Sequence, residues 1–270
     1  HHCDMYGFDA ISAGGVVAWM LDCLADGLVT CEDLGIPEMK PNFDPDNFDV
    51  VADSMNNADI GCEILDSIIH KRGVMDMQAG ARKLARRLAG AKSPEIMNRF
   101  VTNGFARNGW MVPNQYWTPG VLSPMAIMGK YFMHYGEEFY PPRELGRQAA
   151  DRFKKELILD NMGTCRFHRK WAEEMIPEVM GSLFGLQDEY IQKISRAAAR
   201  INSRNSSVFW ESERNIDFVY RFLVRKRDTD GDKNPELEKW ITEFEKDKHE
   251  AALEFWYEIH KGIQETLKDY

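Results

Sequence analysis

The sequence predicts an all-α chain made of two helical units that meet around an aromatic-rich segment. Apolar residues recur three and four apart through most of the 270 residues, the spacing that lines one face of a helix. No alternating run long enough for a β-strand interrupts them. One stretch, 93–143, breaks the pattern with crowded glycine, proline and aromatic residues, and so divides the chain into units 1–92 and 93–270. At 44% apolar and 29% charged residues, the chain has the balance of a globular protein, long enough for one large domain or two ordinary ones.

The first predicted helix covers 11–27, where Val16, Val17, Met20, Leu21 and Leu24 share a face and Gly27 supplies the stop. Residues 33–58, with three prolines among several Asp and Asn, read as a surface connection. ADIGCEILDSIIHKRG then predicts a second helix, with Asp59 as N-cap, Ile60, Ile64, Leu65 and Ile68 on one face, and Gly73 as the stop. MDMQAGARKLARRLAG repeats the pattern and ends at Gly90. The apolar but poorly periodic stretch 93–143 has the character of a long functional loop. Beyond it, helices are predicted over 144–158, 168–180, 187–202, 208–227 and 235–267. In 227–240, Asp228, Asp230 and Asp232 imitate a calcium loop, but Lys233 replaces its turn glycine and Lys239 its bidentate glutamate. Asn234 and Pro235 instead predict the cap and first residue of the last helix.

Charge and composition exclude several functions. A net charge of −9 opposes a phosphate backbone, so no nucleic-acid partner is expected. RKLARR (82–87) reads as the solvated face of a helix. Apolar runs such as GGVVAWML (14–21) fall short of the roughly 18 to 20 residues of a membrane span, and no signal peptide opens the chain. Five cysteines, Cys3, Cys23, Cys31, Cys62 and Cys165, form no C-x-x-C pair, which is cytoplasmic usage rather than a disulfide framework. Cys23 and Cys62 fall on apolar helix faces and read as small core residues. Cys3 and Cys31 have no assigned role. His1, His2 and Cys3 together suggest adventitious metal binding, and the two histidines read equally as tag remnants or native residues.

Two short segments share a pattern. DMYGFD (4–9) and DNMGTC (160–165) both read Asp-x-x-Gly-x-(Asp/Cys), which composition alone predicts roughly 0.2 times in such a chain. The glycine permits a positive φ, so the backbone turns tightly and holds the carboxylates just ahead of a helix N-terminus. A carboxylate fixed this way can accept paired N–H bonds from a flat, guanidine-like edge such as a pterin presents. The bland alternative is that each Asp only caps a helix.

CDMYGFDAISAGGVVAWMLDCLADGLV (3–29) resembles the corresponding segment of tungsten-containing aldehyde ferredoxin oxidoreductases, where Asp-x-x-Gly-Leu-Asp leads into an Ile-Ser-x-Gly helix. DNMGTCRFHR is similar to their second loop, Asp-x-x-Gly-Leu-Cys, and IIHKRGVMDMQAGARKLARRL (68–88) looks like a helix pair of that family. The resemblance covers most of the chain in order. It implies two helical domains, domains 2 and 3 of the family, packed around a cleft with Asp4 and Asp160 on opposite sides. It also implies a tungsten (or molybdenum) bis-pterin cofactor. Asp4, Gly7, Phe8 and Asp9 would hold one pterin, and Asp160, Gly163, Thr164 and Cys165 the other, with Phe8 and Thr164 replacing the usual leucine. Cys165 matches the fourth ligand of the family's 4Fe–4S cluster. The other three cluster cysteines, in a C-x-x-C-x-x-x-C segment, and a β-rich base domain lie upstream in the family and are not among these 270 residues. Such a cluster needs four ligands. The resemblance therefore implies a missing N-terminal domain or subunit, and a chain that alone is inactive and without its cofactors.

MVPNQYWTPG (111–120) looks like a divergent form of the family's Leu-Pro-x-Tyr-Asp-Pro-Arg-Gly run, after which a histidine serves proton transfer. His134 is the nearest match. An imidazole titrating near neutrality suits that role, and a packed structural histidine is the plain alternative. His168 is expected on the surface at a helix N-terminus, and His70, His249 and His260 at exposed helix positions. The implied activity is oxidation of a small-molecule aldehyde by water to the carboxylic acid, with electrons passed through the cluster to ferredoxin or another low-potential carrier under anaerobic conditions. The aromatic crowding over 105–140 leans towards the related benzoyl-CoA ring reductases. A non-catalytic helical interaction module is the competing reading from another class.

Overall fold

The computed structural model describes residues 1–44, 46–73, 78, 80–99, 103–105, 109–111, 139–165, 168–203, 213–230, 234–268 and 270. Their architecture is all-α, as predicted: twelve helices and one two-stranded sheet among the described residues. Two compact units divide the chain, one built on His1–Asn103 and the other carrying most of the helices beyond it. None of the described helices is long and apolar enough to cross a membrane.

The first unit contains α1 (His2–Tyr6), α2 (Ala10–Ala25), α3 (Cys31–Leu34), α4 (Ala52–His70), α5 (Ala81–Ala91) and α6 (Glu95–Arg99). Trp19, Met20 and Cys23 of α2 share one buried cluster with Leu34, Ile60, Ile64, Leu84, Leu88 and Ile96. The Trp19 indole N–H donates to the Ile96 carbonyl at 3.4 Å, which satisfies the one polar atom that a buried Trp brings with it. Cys31 also belongs to this core, its thiol donating to the Met39 carbonyl at 3.2 Å. Cys62 is half-buried.

Several local expectations differ from the structure here. Helix α4 begins at Ala52, well before Asp59. The Asp49 carboxylate accepts the N–H groups of Val51 (3.0 Å) and Ala52 (2.8 Å), and the amides of Asn56 and Asn57 bond back to the backbone of Lys40 and Asn42. A helical turn made of polar residues leaves no apolar stripe to announce it. Helix α3 starts from a capping box, with Thr30 Oγ1 accepting from Asp33 N–H (3.1 Å) and Asp33 Oδ2 from Thr30 N–H (2.8 Å). The strands β1 (Asn103–Phe105) and β2 (Gly109–Met111) have three residues each, too few for alternation to register. Gly90 lies inside α5, one residue short of its end.

The second unit contains α7 (Pro142–Asn161), α8 (Arg169–Phe184), α9 (Gln187–Ser203), most of α10 (Glu213–Asp230), α11 (Pro235–Lys246) and α12 (Lys248–Leu267). Helices α7 and α12 meet at two glycines. A Cβ on Gly146 would lie 2.0 Å from the Ile259 carbonyl oxygen, and one on Gly262 2.0 Å from that of Arg143. One buried cluster joins α10, α11 and α12 through Val219, Leu223, Leu237, Trp240 and Phe255; another joins α7, α8 and α9 through Phe153, Leu159, Ala172 and Ala198.

Asn234 Oδ1 caps α11 through the N–H groups of Glu236 (3.0 Å) and Leu237 (3.4 Å), with Pro235 opening the helix as expected. The predicted single helix 235–267 is two. Asp247 leaves the helix at φ −153°, and its carboxylate accepts the N–H groups of His249 (3.0 Å) and Glu250 (3.1 Å), starting α12. The break lets Trp240 and Phe255 pack edge to face, ring centroids 4.9 Å apart. His70 and His249 are exposed. His260, expected to be exposed, is half-buried against the Trp256 ring at 4.9 Å, and burial pushes its pKa down.

Candidate cofactor-binding loops

The Asp-x-x-Gly pattern closes a helix in both places. Gly7 adopts φ 73° and Gly163 φ 65°, the left-handed region open to a residue without Cβ. Gly7 N–H donates to the Asp4 carbonyl (3.3 Å) and Phe8 N–H to that of Cys3 (2.8 Å). In the second loop Gly163 N–H donates to the Asp160 carbonyl (3.2 Å) and Thr164 N–H to that of Leu159 (3.0 Å). These paired bonds are the Schellman ending of a helix.

Asp4 and Asp160 therefore stand in the last turns of α1 and α7, not ahead of a helix N-terminus as expected. Only the final residue of each pattern leads the next helix. The Asp9 carbonyl accepts from Ala13 N–H (2.9 Å) to begin α2, and the Cys165 carbonyl accepts from His168 N–H (2.9 Å) just before α8. The misreading has a physical source: Asp is so favoured at N-caps that its presence suggests a start, whereas the positive-φ glycine marks an end.

The same backbone ending occurs at Gly27 and Gly35, where Leu28 N–H donates to the Cys23 carbonyl (2.9 Å) and Ile36 N–H to that of Cys31 (3.1 Å). Gly35 even has Glu32 three residues before it, but Pro37 stands where the loops have Asp9 and Cys165. The pairing of an acid before the glycine with an acid or thiol after it sets the two candidate loops apart.

Their side chains differ in setting. Asp4 is exposed. Asp160 is exposed overall, yet burial around its carboxyl pushes its pKa up. Phe8 is half-buried and packs against the first core; Thr164 is half-buried beside the fully buried Leu159. Helix α1 is tied to α4 by Tyr6 Oη donating to Asp66 Oδ1 at 3.1 Å, and Asp66 also receives Arg72 Nη2 at 2.5 Å. That hydrogen bond raises the Tyr6 pKa. Sequence spacing gave no hint of this 60-residue link.

Gly7, Phe8, Gly163 and Thr164 spend their backbone N–H groups on closing their helices, and the aspartates offer a ligand acceptor oxygen. A carboxylate has two oxygens suited to a planar pair of N–H donors, so Asp4 and Asp160 fit a pterin edge. Cys165 is free and exposed, a single sulfur donor where a 4Fe–4S cluster needs four. Among the described residues no group of three or more His, Cys, Asp or Glu could hold a metal ion, and none forms at His1, His2 and Cys3. The donors present fit one corner of a 4Fe–4S cluster. His168 sits exposed at the start of α8, its ring edge on Trp171 at 5.4 Å. His134, with all of MVPNQYWTPG beyond Met111, lies outside the described residues.

Residues 1–110 match the family model described as aldehyde ferredoxin oxidoreductase, domains 2 and 3. A glyceraldehyde-3-phosphate:ferredoxin oxidoreductase of Pyrococcus furiosus is 27% identical over 271 residues, covering 94% of this chain and 40% of that protein. An uncharacterized protein of Methanocaldococcus jannaschii is 32% identical over 200 residues, covering 68% of this chain and 32% of that protein. The chain thus spans between a third and two fifths of these relatives' length. No solved structure matches it.

Proposed function

This chain belongs to the aldehyde ferredoxin oxidoreductase family, as part of its helical domains 2 and 3, and on that premise we propose that it forms the pterin clamp of a tungsten (or molybdenum) oxidoreductase. The observation that carries the reading is the pair of loops: each compact unit has one Schellman-closed helix end with an acid before the glycine and an acid or thiol after it. In this reading 1–92 is domain 2-like and 93–270 domain 3-like.

Each residue has a defined task. The Asp4 and Asp160 carboxylates accept the N–H pair of one pterin each, while Gly7 and Gly163 let the backbone turn away so that nothing crowds the ring. Phe8 and Thr164 brace the loops from their inner sides. Asp9 adds a second acceptor to the first loop, and Cys165 would hold one corner of a 4Fe–4S cluster. His134 moves the substrate proton. The bound metal–pterin group supplies two-electron redox chemistry. The overall reaction would be an aldehyde and water giving a carboxylic acid, two protons and two electrons, with ferredoxin as the electron acceptor. The missing N-terminal domain, in this chain's own gene or a partner subunit, supplies the other three cluster thiolates.

The test is to purify the whole protein anaerobically from its native host, measure tungsten, molybdenum and iron, and assay aldehydes beside aromatic acyl-CoA thioesters. Metal with aldehyde turnover is expected. Lack of all three metals would sink the reading; ring reduction without aldehyde turnover would keep the clamp and replace the reaction.

A further inference from the structure

Helices α7 and α8 form a hairpin whose turn carries the second loop. Arg152 lies eight residues before Asp160, and Glu173 eight residues after Cys165. The two meet across the hairpin as a fork on a fork: Arg152 Nη1 donates to Glu173 Oε2 at 3.0 Å, and Nη2 donates to Glu173 Oε1. The same guanidinium donates from Nε (3.0 Å) and Nη2 (2.7 Å) to Glu156 Oε1, one turn along α7. The side chains of Arg152, Glu173 and Glu156 are 19%, 10% and 6% exposed. Arg169 Nη1 approaches Glu156 Oε1 at 3.9 Å, so two cations meet two carboxylates.

Such a cluster is a poor source of stability. Desolvating the charges costs about as much as pairing them returns, and apolar replacements of similar volume are often neutral or better. What it provides is register. The apolar neighbours Phe153, Leu157, Ala172 and Ile176 share one buried cluster and tolerate sliding, but a bidentate fork has one alignment, and a shift of one helical turn, about 5.4 Å, would break it. We propose that Arg152 is the positioning residue of the second loop: pinned to Glu156 on its own helix and to Glu173 on the next, it sets the register of α8 against α7. It thereby fixes where Asp160 and Cys165 stand relative to each other. Only the consequence for cofactor binding rests on the clamp reading; the register lock itself does not.

The experiment uses the 270-residue chain with Arg152→Lys, Glu173→Gln and the apolar triple replacement R152M/E156L/E173L. Amide exchange is read at Gly163 and Thr164, whose N–H groups close α7, with Gly7 and Phe8 as internal control. The triple variant is expected to keep its melting temperature, while Gly163 and Thr164 exchange at least tenfold faster and Gly7 and Phe8 do not change. Arg152→Lys, which keeps charge but loses the fork, should fall between. Unchanged protection at Gly163 and Thr164, or acceleration equal at all four amides, would overturn the proposal. If the triple variant does not fold, the two single variants decide on the same four amides. A parallel measurement of pterin and tungsten in the whole metal-loaded protein carrying Arg152→Lys separates the two readings. Faster exchange with full pterin content removes the clamp and leaves the register lock; unchanged exchange removes the lock whatever the pterin content.

Discussion

The two Asp-x-x-Gly loops have the same backbone and unequal supports. The first is tied sideways, by Tyr6 on Asp66 of α4 and by Phe8 on the core, while the second ends the twenty-residue helix α7. The second inherits order along its own helix and across the hairpin from Arg152 and Glu173. A local sequence pattern thus specifies the turn, and distant contacts specify how firmly it is held.

The sharpest way to break the comparison is at the close helix crossings of each unit. Gly146→Ala or Gly262→Ala drives a methyl to 2.0 Å from a backbone carbonyl of the facing helix. Backbone cannot yield as a side chain does, and a loss of about 3 kcal/mol or more is expected. In the first unit, Gly61→Ala meets only a Val17 methyl at 3.1 Å, and the better helix propensity of Ala offsets most of that, leaving a change within about 1 kcal/mol. Scanning calorimetry should show the second unit melting early in the first pair and no comparable shift in Gly61→Ala. Equal losses would mean that the close approach of α7 and α12 does not govern the second unit.

Gly7→Ala and Gly163→Ala come next. Neither added Cβ would meet an atom within 4 Å, so the cost is the positive φ alone, about 1 to 2 kcal/mol. At Gly163 it should appear as a lower urea midpoint of the second unit. At Gly7 it should appear as faster amide exchange at Phe8, whose N–H closes α1. Tyr6→Phe should act on the first loop alone, raising exchange at Phe8 severalfold and leaving Thr164 untouched. A global loss of stability from Tyr6→Phe would show that α1 is no mere appendage.

Much of this was legible. The all-α class followed from helical spacing, the predicted 187–202 matches α9 within a residue, and the start of α11 was readable because Asn234 and Pro235 punctuate it. What was hidden falls into two kinds. Polar starts were missed: Asp49 before α4, and Asp247 followed by Glu250 before α12, where side-chain caps act without any change in the apolar stripe. Long-range polar pairs were missed too, since Arg152–Glu173 and Tyr6–Asp66 obey no spacing rule. In the loops, residue identity was readable, but whether each Asp began a helix or ended one was not, since Asp is the residue that most strongly suggests a beginning.

The last contrast is the smallest and concerns sign. Asp49 and Asp247 cap helix starts, and backbone N–H bonds hold their pKa values below the ordinary aspartate range. Their contribution to stability is present above the ordinary value and is lost as pH falls through the folded one. Asp160 stands at the opposite end of a helix, where burial pushes its pKa up and the helix dipole also disfavours a negative charge. Its protonated form is the one that folding favours, so its contribution is fully present below the unfolded aspartate value and is lost as pH rises through the folded one. Asp160→Asn should therefore slightly stabilise the second unit at neutral pH and flatten its pH dependence from the ordinary aspartate value upward. Asp247→Asn should do neither. A carbon-detected titration of the Asp160 carboxyl, with urea midpoints for both variants against pH, measures this. An Asp160 midpoint at or below that of an unfolded peptide would mean that the second loop's carboxyl is held by hydrogen bonds, as a cap is, and the contrast between helix ends would be gone.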